Sequence, residues 1–257
     1  MSTLSGFKST PLKKSFITLL LGSLLFGACQ KADLGDEMDG NPIPQPIALP
    51  VPCISQTDNP AGRSYDTDSL QAYTCKDKHC GLLPLSNKNY WIYQDSVFTD
   101  GVFSTVRYDT LRFNGNLKSL TDGLTWWESQ VFVGIPQVLF SNDSALFAMK
   151  DQLYNPEMKD AKRDFFLFEG DSVRYLAGFD DIAASGRSLK ISGTIRVPAG
   201  EFTDYLYFEK NARNYRKDQV FFKPGVGVLR YVQEKAPFGE RVVRLQHIKT
   251  LIGYHIE

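Results

Sequence analysis

The feature that most constrains this chain is apolar–polar alternation on both sides of an Asp-Gly pair. Tyr90 to Thr99 and Val102 to Phe113 follow the two-residue period of a strand and flank Asp100-Gly101. A type I′ turn needs positive φ at both central positions, which suits Asp followed by Gly. The pattern therefore predicts a tight β-hairpin between two long strands.

Further segments with this period follow, separated by short runs rich in turn-forming residues. They predict about ten strands, at a spacing typical of an antiparallel barrel or sandwich. The other predicted strands are Thr125 to Val133, Val138 to Phe140, Ala145 to Met149, Phe165 to Phe168, Ser172 to Leu176, Leu189 to Val197, Phe202 to Glu209, Val220 to Phe222, Gly227 to Val232 and Arg241 to Ile252. Helical periodicity is weak, and its best candidates are Asn155 to Lys162 and Asp180 to Ser185. For residues 82–257 we predict a mostly β, strongly curved antiparallel sheet, half-barrel or barrel-like, with little helix.

The aromatic content agrees with this class, since 18 Phe, 12 Tyr and 3 Trp favour strands. Such rings either fill the interior of a barrel or line a cavity within it. Adjacent strand residues face opposite sides, so at most one of Trp126 and Trp127 belongs to the core. The other is either part of a carbohydrate platform with Trp91 or covered as a second buried face.

The N-terminus has the pattern of a secretory leader. Lys8, Lys13 and Lys14 precede an apolar run from Phe16 to Phe26. This run is shorter than the roughly 20 residues that span a bilayer, so residues 1–28 are predicted to be a signal peptide rather than a permanent membrane helix.

The residues that end the leader resemble a bacterial lipobox. They read Leu25-Phe26-Gly27-Ala28-Cys29, which implies that Cys29 is diacylated and becomes the new N-terminus. The alternative is an ordinary signal peptide with an incidental cysteine. The lipobox predicts a lipoprotein of the bacterial cell envelope, anchored in the outer membrane, with its periplasmic or surface face left open.

Residues 29–52 form the predicted tether between the lipidated cysteine and the domain. Prolines are frequent and aromatic residues absent, so the segment cannot bury enough apolar surface to offset its conformational entropy. We expect a disordered or polyproline-like linker, reaching up to about 70 Å from the membrane. The start of the tether, Cys29-Gln30-Lys31-Ala32-Asp33, resembles the surface-export signal of Bacteroidetes lipoproteins.

Charge excludes one class of partner. The formal net charge is zero, and the lysines of the leader offset the excess acids of the tether, so the chain from Cys53 onward is neutral. A neutral domain lacks the electrostatic footprint of nucleic-acid binding. One basic cluster, flanked by Glu209 and Asp218, is predicted to be a solvated loop, with a phosphate site as the alternative. Its members are Lys210, Arg213, Arg216 and Lys217.

The polar segment 53–81, predicted to be an irregular cap, holds Cys53, Cys75 and Cys80. Outside the cytoplasm disulfides are expected, and we predict one between Cys75 and Cys80. A bridge from Cys53 to either of the other two stays an alternative. Loop-closure entropy makes such a bridge only about 1.5 kcal/mol more stabilising than the short Cys75–Cys80 loop, and sequence alone does not fix connectivity. With His79 the three cysteines would make a zinc-type ligand set, but its spacing is unusual and His79 adjoins Cys80. No metal or other cofactor is expected.

The sequence contains few residues or motifs that indicate catalysis. The sequence has no Gly-x-Ser-x-Gly elbow, and of its three histidines His247 lies mid-strand and His255 near the terminus. We predict partly buried structural roles for both rather than general-base roles. The pair Asp180-Asp181 is a candidate for glycoside hydrolysis, although neighbouring acids in one loop are usually solvated.

Three short patches resemble a group of uncharacterised Bacteroidetes lipoproteins with a mostly β extracytoplasmic domain. They are Leu83-Pro84-Leu85 followed by Asn89-Tyr90-Trp91 and Tyr93, then Val197-Pro198-Ala199-Gly200 with Phe202, and Lys223-Pro224-Gly225-Val226-Gly227. The resemblance implies a lipoprotein β-domain akin to half-barrel lipoprotein carriers, and it transfers no catalytic residue. We therefore expect a lipid-anchored, non-enzymatic domain that binds a protein partner or an apolar ligand. The alternative is an extracytoplasmic hydrolase acting on glycans or lipids.

Overall fold

The computed structural model describes residues 53–130, 134–166, 174–179 and 182–257. The predictions for the leader, for Cys29, for the tether and for Asp180-Asp181 lie outside these ranges. The strands are β1 (Ser64–Asp66), β2 (Leu70–Tyr73), β3 (Tyr90–Thr99), β4 (Val102–Ser119), β5 (Thr125–Ser129), β6 (Val138–Ser141), β7 (Ala145–Asp151), β8 (Met158–Phe166), β9 (Arg174–Phe179), β10 (Ile182–Val197), β11 (Gly200–Ala212), β12 (Arg216–Lys223), β13 (Gly227–Lys235) and β14 (Arg244–His255). One turn of 3₁₀ helix, Thr67–Ser69, lies between β1 and β2. No described helix is long and apolar enough to cross a membrane.

These strands form one antiparallel sheet, so the predicted fold class is confirmed, with more strands than the sequence suggested. The order across the sheet is β1-β8-β7-β6-β5-β4-β3-β14-β13-β12-β11-β10-β9, and β2 pairs with the end of β4. The sheet curls without closing. As a result β8, near one edge, approaches β11 from the other half, and the ammonium of Lys210 lies 3.3 Å from the carboxylate of Asp164.

The hairpin at Asp100-Gly101 forms as predicted. β3 ends at Thr99 and β4 begins at Val102, and these two residues are directly opposite each other. Asp100 and Gly101 have φ values of 52° and 81°, the positive values that a type I′ turn requires.

Both helix predictions are wrong where they can be compared with the structure. The segment Asn155 to Lys162 enters β8 at Met158, and the described part of Asp180 to Ser185 belongs to β10 from Ile182. β8 pairs with β7 on one side and with β1 on the other. Hydrogen bonding to two neighbouring strands overrides a weak local helical period.

The concave face of the curled sheet holds most of the core. In β3, Trp91, Tyr93 and Asp95 are fully buried while the residues between them are half-buried. β4 continues this face with Leu111 and Phe113, both buried. The alternation therefore directs one side of each strand into the curl, as the two-residue period predicts.

Part of the convex face is buried as well, because segment 53–81 covers it. Trp126 and Trp127 point to opposite faces and both are fully buried, so the second-buried-face interpretation holds. Tyr65 of β1 packs against Trp126 with ring centroids 5.7 Å apart. Segment 53–81 is thus not wholly irregular, since β1 and β2 belong to the sheet. Trp91 is fully buried too, which leaves no exposed tryptophan platform among the described residues.

The two ends of the strands differ. We call one of them the disulfide end, because the segment around Cys53 and residues 82–85 cover the strands there. The amide of Gly225 donates to the carbonyl of Leu82 at 3.0 Å, and the indole of Trp91 donates to the carbonyl of Val226 at 2.6 Å. At the other, the hairpin end, the Asp100-Gly101 turn lies beside the start of β14, where Arg244 forms an ion pair with Asp100 at 3.2 Å.

Candidate functional site

The disulfide joins Cys53 to Cys80, with Cα atoms 5.4 Å apart. The predicted Cys75–Cys80 bridge is therefore wrong, and one of the pairings with Cys53 that the sequence left open is the observed one. Backbone pairing explains it, because the amide of Cys80 donates to the carbonyl of Ile54 at 2.8 Å and so brings Cys53 alongside. Cys75 is a buried free thiol whose amide donates to Asn116 at 3.0 Å.

The group of Cys75, Asp77 and His79 places its ligand atoms within 4.8 Å of one another, but its chemistry does not suit a metal. The indole N–H of Trp127 donates to Nδ1 of His79 at 3.2 Å, so that nitrogen offers its lone pair there. A neutral imidazole then carries its proton on Nε2, which faces the Cys75 sulfur at 4.0 Å. Nδ1 is therefore engaged by the indole and Nε2 by its proton, so neither nitrogen offers a free lone pair to a metal ion. Cys53 and Cys80 are joined in a disulfide, so they are not available as zinc ligands with Cys75 and His79.

The two remaining histidines lie elsewhere on the sheet. Nδ1 of His247 lies 3.1 Å from the carboxylate of Asp95, which is fully buried and also contacts Lys249 at 3.2 Å. Lys249 contacts Asp109 as well. The ring of His255 stacks on Tyr90 with centroids 5.6 Å apart. His247 thus has the partly buried structural role predicted for it, whereas His255 is exposed, so the prediction of partial burial is wrong for that residue.

A charged cleft opens on the concave face between the two halves of the curled sheet. It has a volume of about 240 Å³. One wall comes from the loop before β6 and from β7 and β8, and the other from β9 and β11 to β13. Its lining residues are Gly134, Ile135, Pro136, Lys150, Asp164, Phe179, Phe208, Lys210, Arg216, Asp218, Val220 and Tyr231. We refer to this site as the charged cleft.

Strand register brings the charged side chains of one wall together. Lys210 on β11 lies directly opposite Asp218 on β12, and Asp218 lies opposite Gln233 on β13. Opposite residues of antiparallel strands share a face, so all three point into the curl. Each is less than a tenth exposed.

Arg216 and Asp218 form the fixed ion pair of the cleft. The guanidinium of Arg216 donates twice to the carboxylate of Asp218, at 2.8 and 2.7 Å, and once to the hydroxyl of Tyr231 at 3.1 Å. Although burial by itself lowers the pKa of Arg216, the hydrogen bonds and charge of Asp218 raise it overall. Burial, followed by the charge of Asp218, raises the pKa of Tyr231, so its hydroxyl stays protonated.

Phe179 lies between two cations. Its ring centroid is 4.7 Å from the ammonium of Lys210 and 4.4 Å from the guanidinium carbon of Arg216. Both distances are within the range of cation–π attraction. The ring therefore helps to hold the two positive side chains in place on this wall.

The opposite wall makes close contact with Tyr231. Gly134 has φ of +98°, and a Cβ atom built on it would lie 2.8 Å from the ring of Tyr231. Glycine is needed there both for its backbone conformation and for the close approach of the loop to the aromatic ring.

The prediction that the basic cluster forms a solvated loop is wrong for two of its four members, Lys210 and Arg216. Lys210 and Arg216 lie on adjacent strands and line the cleft with Asp218. Arg213 is exposed in the turn between the strands, and Lys217 pairs with Glu209 at 3.2 Å. The sequence did contain a signal for this burial, because residues two apart on a strand face the same side of the sheet. Lys210 is two residues from Phe208 and Asp218 is two residues from Val220, so each charge shares a face with an apolar residue.

Comparison of the chain with models of protein families, with curated proteins and with solved structures finds no match in any of the three.

Proposed function

We propose that this chain is a lipid-anchored, non-enzymatic β-domain of the bacterial cell envelope that binds a polar ligand in the charged cleft. The observation that carries the proposal is the cleft itself, where Lys210, Arg216 and Asp218 are held on the concave face beside open space. Buried charged groups around a cavity are unusual in a protein interior and are typical of binding sites.

The chemistry of the cleft favours binding over catalysis. None of the side chains described around it is a histidine, and its carboxylates, Asp164 and Asp218, each contact a cation. A general base must reach the proton that it abstracts, and both of these carboxylates are already engaged by cations. The alternative of a glycan or lipid hydrolase therefore has little support from this geometry.

Packing at the disulfide end favours a polar over an apolar ligand. The part of the concave face that an apolar ligand would occupy is filled by fully buried side chains, among them Trp91, Tyr93, Trp127, Phe222 and Leu229. A lipid carrier would need an apolar space there, because hydrocarbon is stabilised only by apolar walls. The open volume near the hairpin end instead has charged side chains among its lining residues.

The anchor fits this arrangement. Under our proposal the lipid at Cys29 and the tether join the domain at Cys53, on the disulfide end. The charged residues of the cleft lie toward the opposite end of the strands, so the attachment point of the tether leaves the cleft open to a ligand.

The test is a thermal-shift screen of the purified protein in detergent against neutral sugars, amino acids, organic acids and fatty acids. We expect a water-soluble compound to raise the melting temperature, and the rise to disappear in Val220→Phe, which fills the cleft. Val232→Phe, on the other face of the sheet, is the matched control. Stabilisation by fatty acids alone would overturn the proposal in favour of an apolar ligand, and chemical conversion of a hit would favour the hydrolase.

A further inference from the structure

The first part of β4 is an exposed edge of the sheet. β3 pairs with β4 from Val102 onward, whereas β5 joins the other side of β4 only from Phe113, and no other described strand pairs with the part before it. Every residue from Val102 to Tyr108 is exposed. We infer that this edge is an interaction surface, and that its partner is the same segment of a second copy of the chain, added as an antiparallel strand.

A β-bulge sets the direction of the side chains on this edge. Phe98 of β3 lies opposite Phe103, and Val97 lies opposite Thr105, so Ser104 is an extra residue in β4. Neighbouring residues of a regular strand alternate between faces, and one inserted residue reverses that alternation. Phe103 is therefore on the same face of the sheet as the even-numbered residues that follow the bulge.

These residues form an apolar row on the convex face. Phe103, Val106 and Tyr108 lie opposite alternate residues of β3, which point away from the concave face. Their exposed fractions are 57%, 38% and 67%. Apolar side chains that are exposed together beside an open sheet edge mark an interaction site.

The row is symmetric, because the bulge gives it equal spacing with an aromatic ring on each side of Val106. A two-fold axis at Val106 would place this residue beside its own copy, and Phe103 beside Tyr108 of the second copy. Both copies then contribute the same pairs, and opposite apolar and aromatic side chains stabilise antiparallel strands. This self-complementarity favours a second copy over an unrelated strand as the occupant.

Charge agrees with an axis at Val106. Arg107 is the one charged residue between Val102 and Tyr108, and its guanidinium is held by Asp95 at 3.3 Å. With the axis at Val106, Arg107 lies opposite the uncharged bulge of the second copy. An axis at Arg107 would set two guanidinium groups opposite each other, which destabilises a strand pair.

The tether that precedes the domain suits this edge less well. An added strand donates through the N–H groups of alternate residues, and proline has none. Pro42, Pro44 and Pro46 are alternate residues, and Pro50 and Pro52 repeat the spacing. A strand formed by this segment would lack donors along one edge.

Sedimentation equilibrium of the purified protein in density-matched detergent measures the association. The row offers roughly 300 Å² of side-chain surface per copy, below the roughly 800 Å² per partner of a stable interface. We therefore expect a weak dimer, with a Kd of roughly 1 to 100 μM. Tyr108→Lys should weaken it roughly tenfold or more, since a charge replaces an aromatic pair. Tyr154→Lys, at a 93% exposed tyrosine between β7 and β8, is the matched control and should leave the Kd unchanged.

Val106→Pro tests the backbone. The carbonyl of Thr110 accepts from Gln130 on the outer side of β4 at 2.6 Å, and alternate residues point the same way, so the N–H of Val106 also points outward. Proline there removes a donor to the second copy but no hydrogen bond to β3. We expect association weakened roughly tenfold or more, with an unchanged circular dichroism spectrum. If this variant does not fold, Tyr108→Lys decides.

Cysteine cross-linking locates the axis. Only the residue on a two-fold axis faces its own copy, at a Cα separation of roughly 5.5 Å that a disulfide spans. Val106→Cys should therefore form a covalent dimer on a non-reducing gel, and Tyr154→Cys should not. The native Cys75 is buried and does not interfere.

A protein that stays monomeric at about 1 mM would overturn the assigned partner. So would a dimer that neither Tyr108→Lys nor Val106→Pro weakens, or equal cross-linking through Val106→Cys and Tyr154→Cys. Protection of the Val106 amide from hydrogen exchange that does not change with protein concentration would identify a segment of the chain itself as the occupant, and would also overturn it. These outcomes are independent of the charged cleft, which Val220→Phe tests by itself.

Discussion

The indole of Trp127 fixes the tautomer of His79 by donating a hydrogen bond to its Nδ1 atom at 3.2 Å. The two rings meet edge to face, with centroids 5.3 Å apart, and His79 is almost fully buried. An indole is only a donor, so this contact is compatible with neutral imidazole and not with imidazolium. His79 is therefore a packing residue whose protonation opposes the fold.

Stability should fall when the solution becomes acidic enough to protonate His79 in the unfolded chain. Burial lowers its pKa below the ordinary 6.5, and the charge of Asp77 opposes this only in part. The stabilising contribution is thus complete above pH 6.5 and is lost as pH falls from there through the folded pKa, by at most about 1.4 kcal/mol per pH unit. Urea unfolding between about pH 7 and 5 measures this slope. His79→Gln should flatten it, whereas His255→Gln, at the more exposed histidine, should not.

The thiol of Cys75 should be unreactive in the folded protein and reactive after unfolding. Alkylation under non-reducing conditions, followed by peptide mass analysis, should label the Cys75 peptide only in denaturant and leave Cys53 and Cys80 unlabelled in both states.

Loss of the disulfide in Cys53→Ser should lower the free energy of unfolding by about 3.5 kcal/mol, from the loop-closure entropy of its 27-residue separation. Labelling of Cys53 before reduction would contradict the observed pairing.

The chain has a second Asp-Gly pair, Asp122-Gly123, between β4 and β5, and the two pairs should respond differently to loss of the aspartate charge. Asp122 accepts hydrogen bonds from Arg63 at 2.6 Å and from Tyr65 at 2.9 Å, whereas Asp100 contacts only Arg244 among the described residues, at an exposed site. Asp122→Asn should cost roughly 1 to 2 kcal/mol and Asp100→Asn less than about 0.5 kcal/mol. Denaturant melts of the two variants measure the difference, and equal effects would refute the role given to Asp122.

The same carboxylate should make the free energy of unfolding depend on pH in the acid range. Burial raises the pKa of Asp122, but its hydrogen bonds, above all the one from Arg63, outweigh this and lower the pKa below the ordinary 3.8. Its contribution is therefore present above pH 3.8 and is lost as pH falls through the folded pKa. Asp122→Asn should lose less stability than the wild type over that acid range.

Gly101 should tolerate a β-branched side chain poorly, because its φ is positive. Gly101→Val forces a β-branched residue to φ of +81° and should destabilise by about 1 kcal/mol or more. Gly253 on β14 is a matched control, since its φ is not positive and a Cβ atom there meets nothing within 4 Å. Gly253→Val should be neutral or slightly stabilising, and equal losses in thermal melts would argue against backbone strain as the cause.

The proposed anchor depends on one sulfur atom. Cys29→Ala should abolish labelling with a fatty-acid analogue and partitioning into detergent, because the thioether cannot form. Cys75→Ala is the control and should still be lipidated. Continued labelling of the Cys29→Ala protein would eliminate the lipobox interpretation.

Local chemistry decided which parts of the fold could be predicted. β3 was located to the residue because a type I′ turn needs positive φ at Asp100 and Gly101, a requirement contained in the dipeptide itself. β8 was mistaken for a helix because its conformation comes from pairing with β7 and β1, partners distant in sequence.

The charged cleft was missed for a related reason. Lys210 and Asp218 were taken as solvated because charged residues usually are. Their burial depends on the curl of the sheet, which brings Asp164 of β8 within reach of Lys210. The disulfide likewise depends on backbone pairing between Ile54 and the residues around His79, which spacing along the chain does not reveal.

The Cys53–Cys80 bond also determines how the domain bears tension. A pull applied through the chain preceding Cys53 passes across the sulfur atoms to Cys80, ten residues before β3 begins. Because the force passes through the disulfide, the residues between Cys53 and Cys80, including β1 and β2, are not under tension. Without it, the same pull would unzip β1 from β8 one hydrogen bond at a time. The bond thus directs the force to β3, an interior strand that is paired with β4 on one side and with β14 on the other.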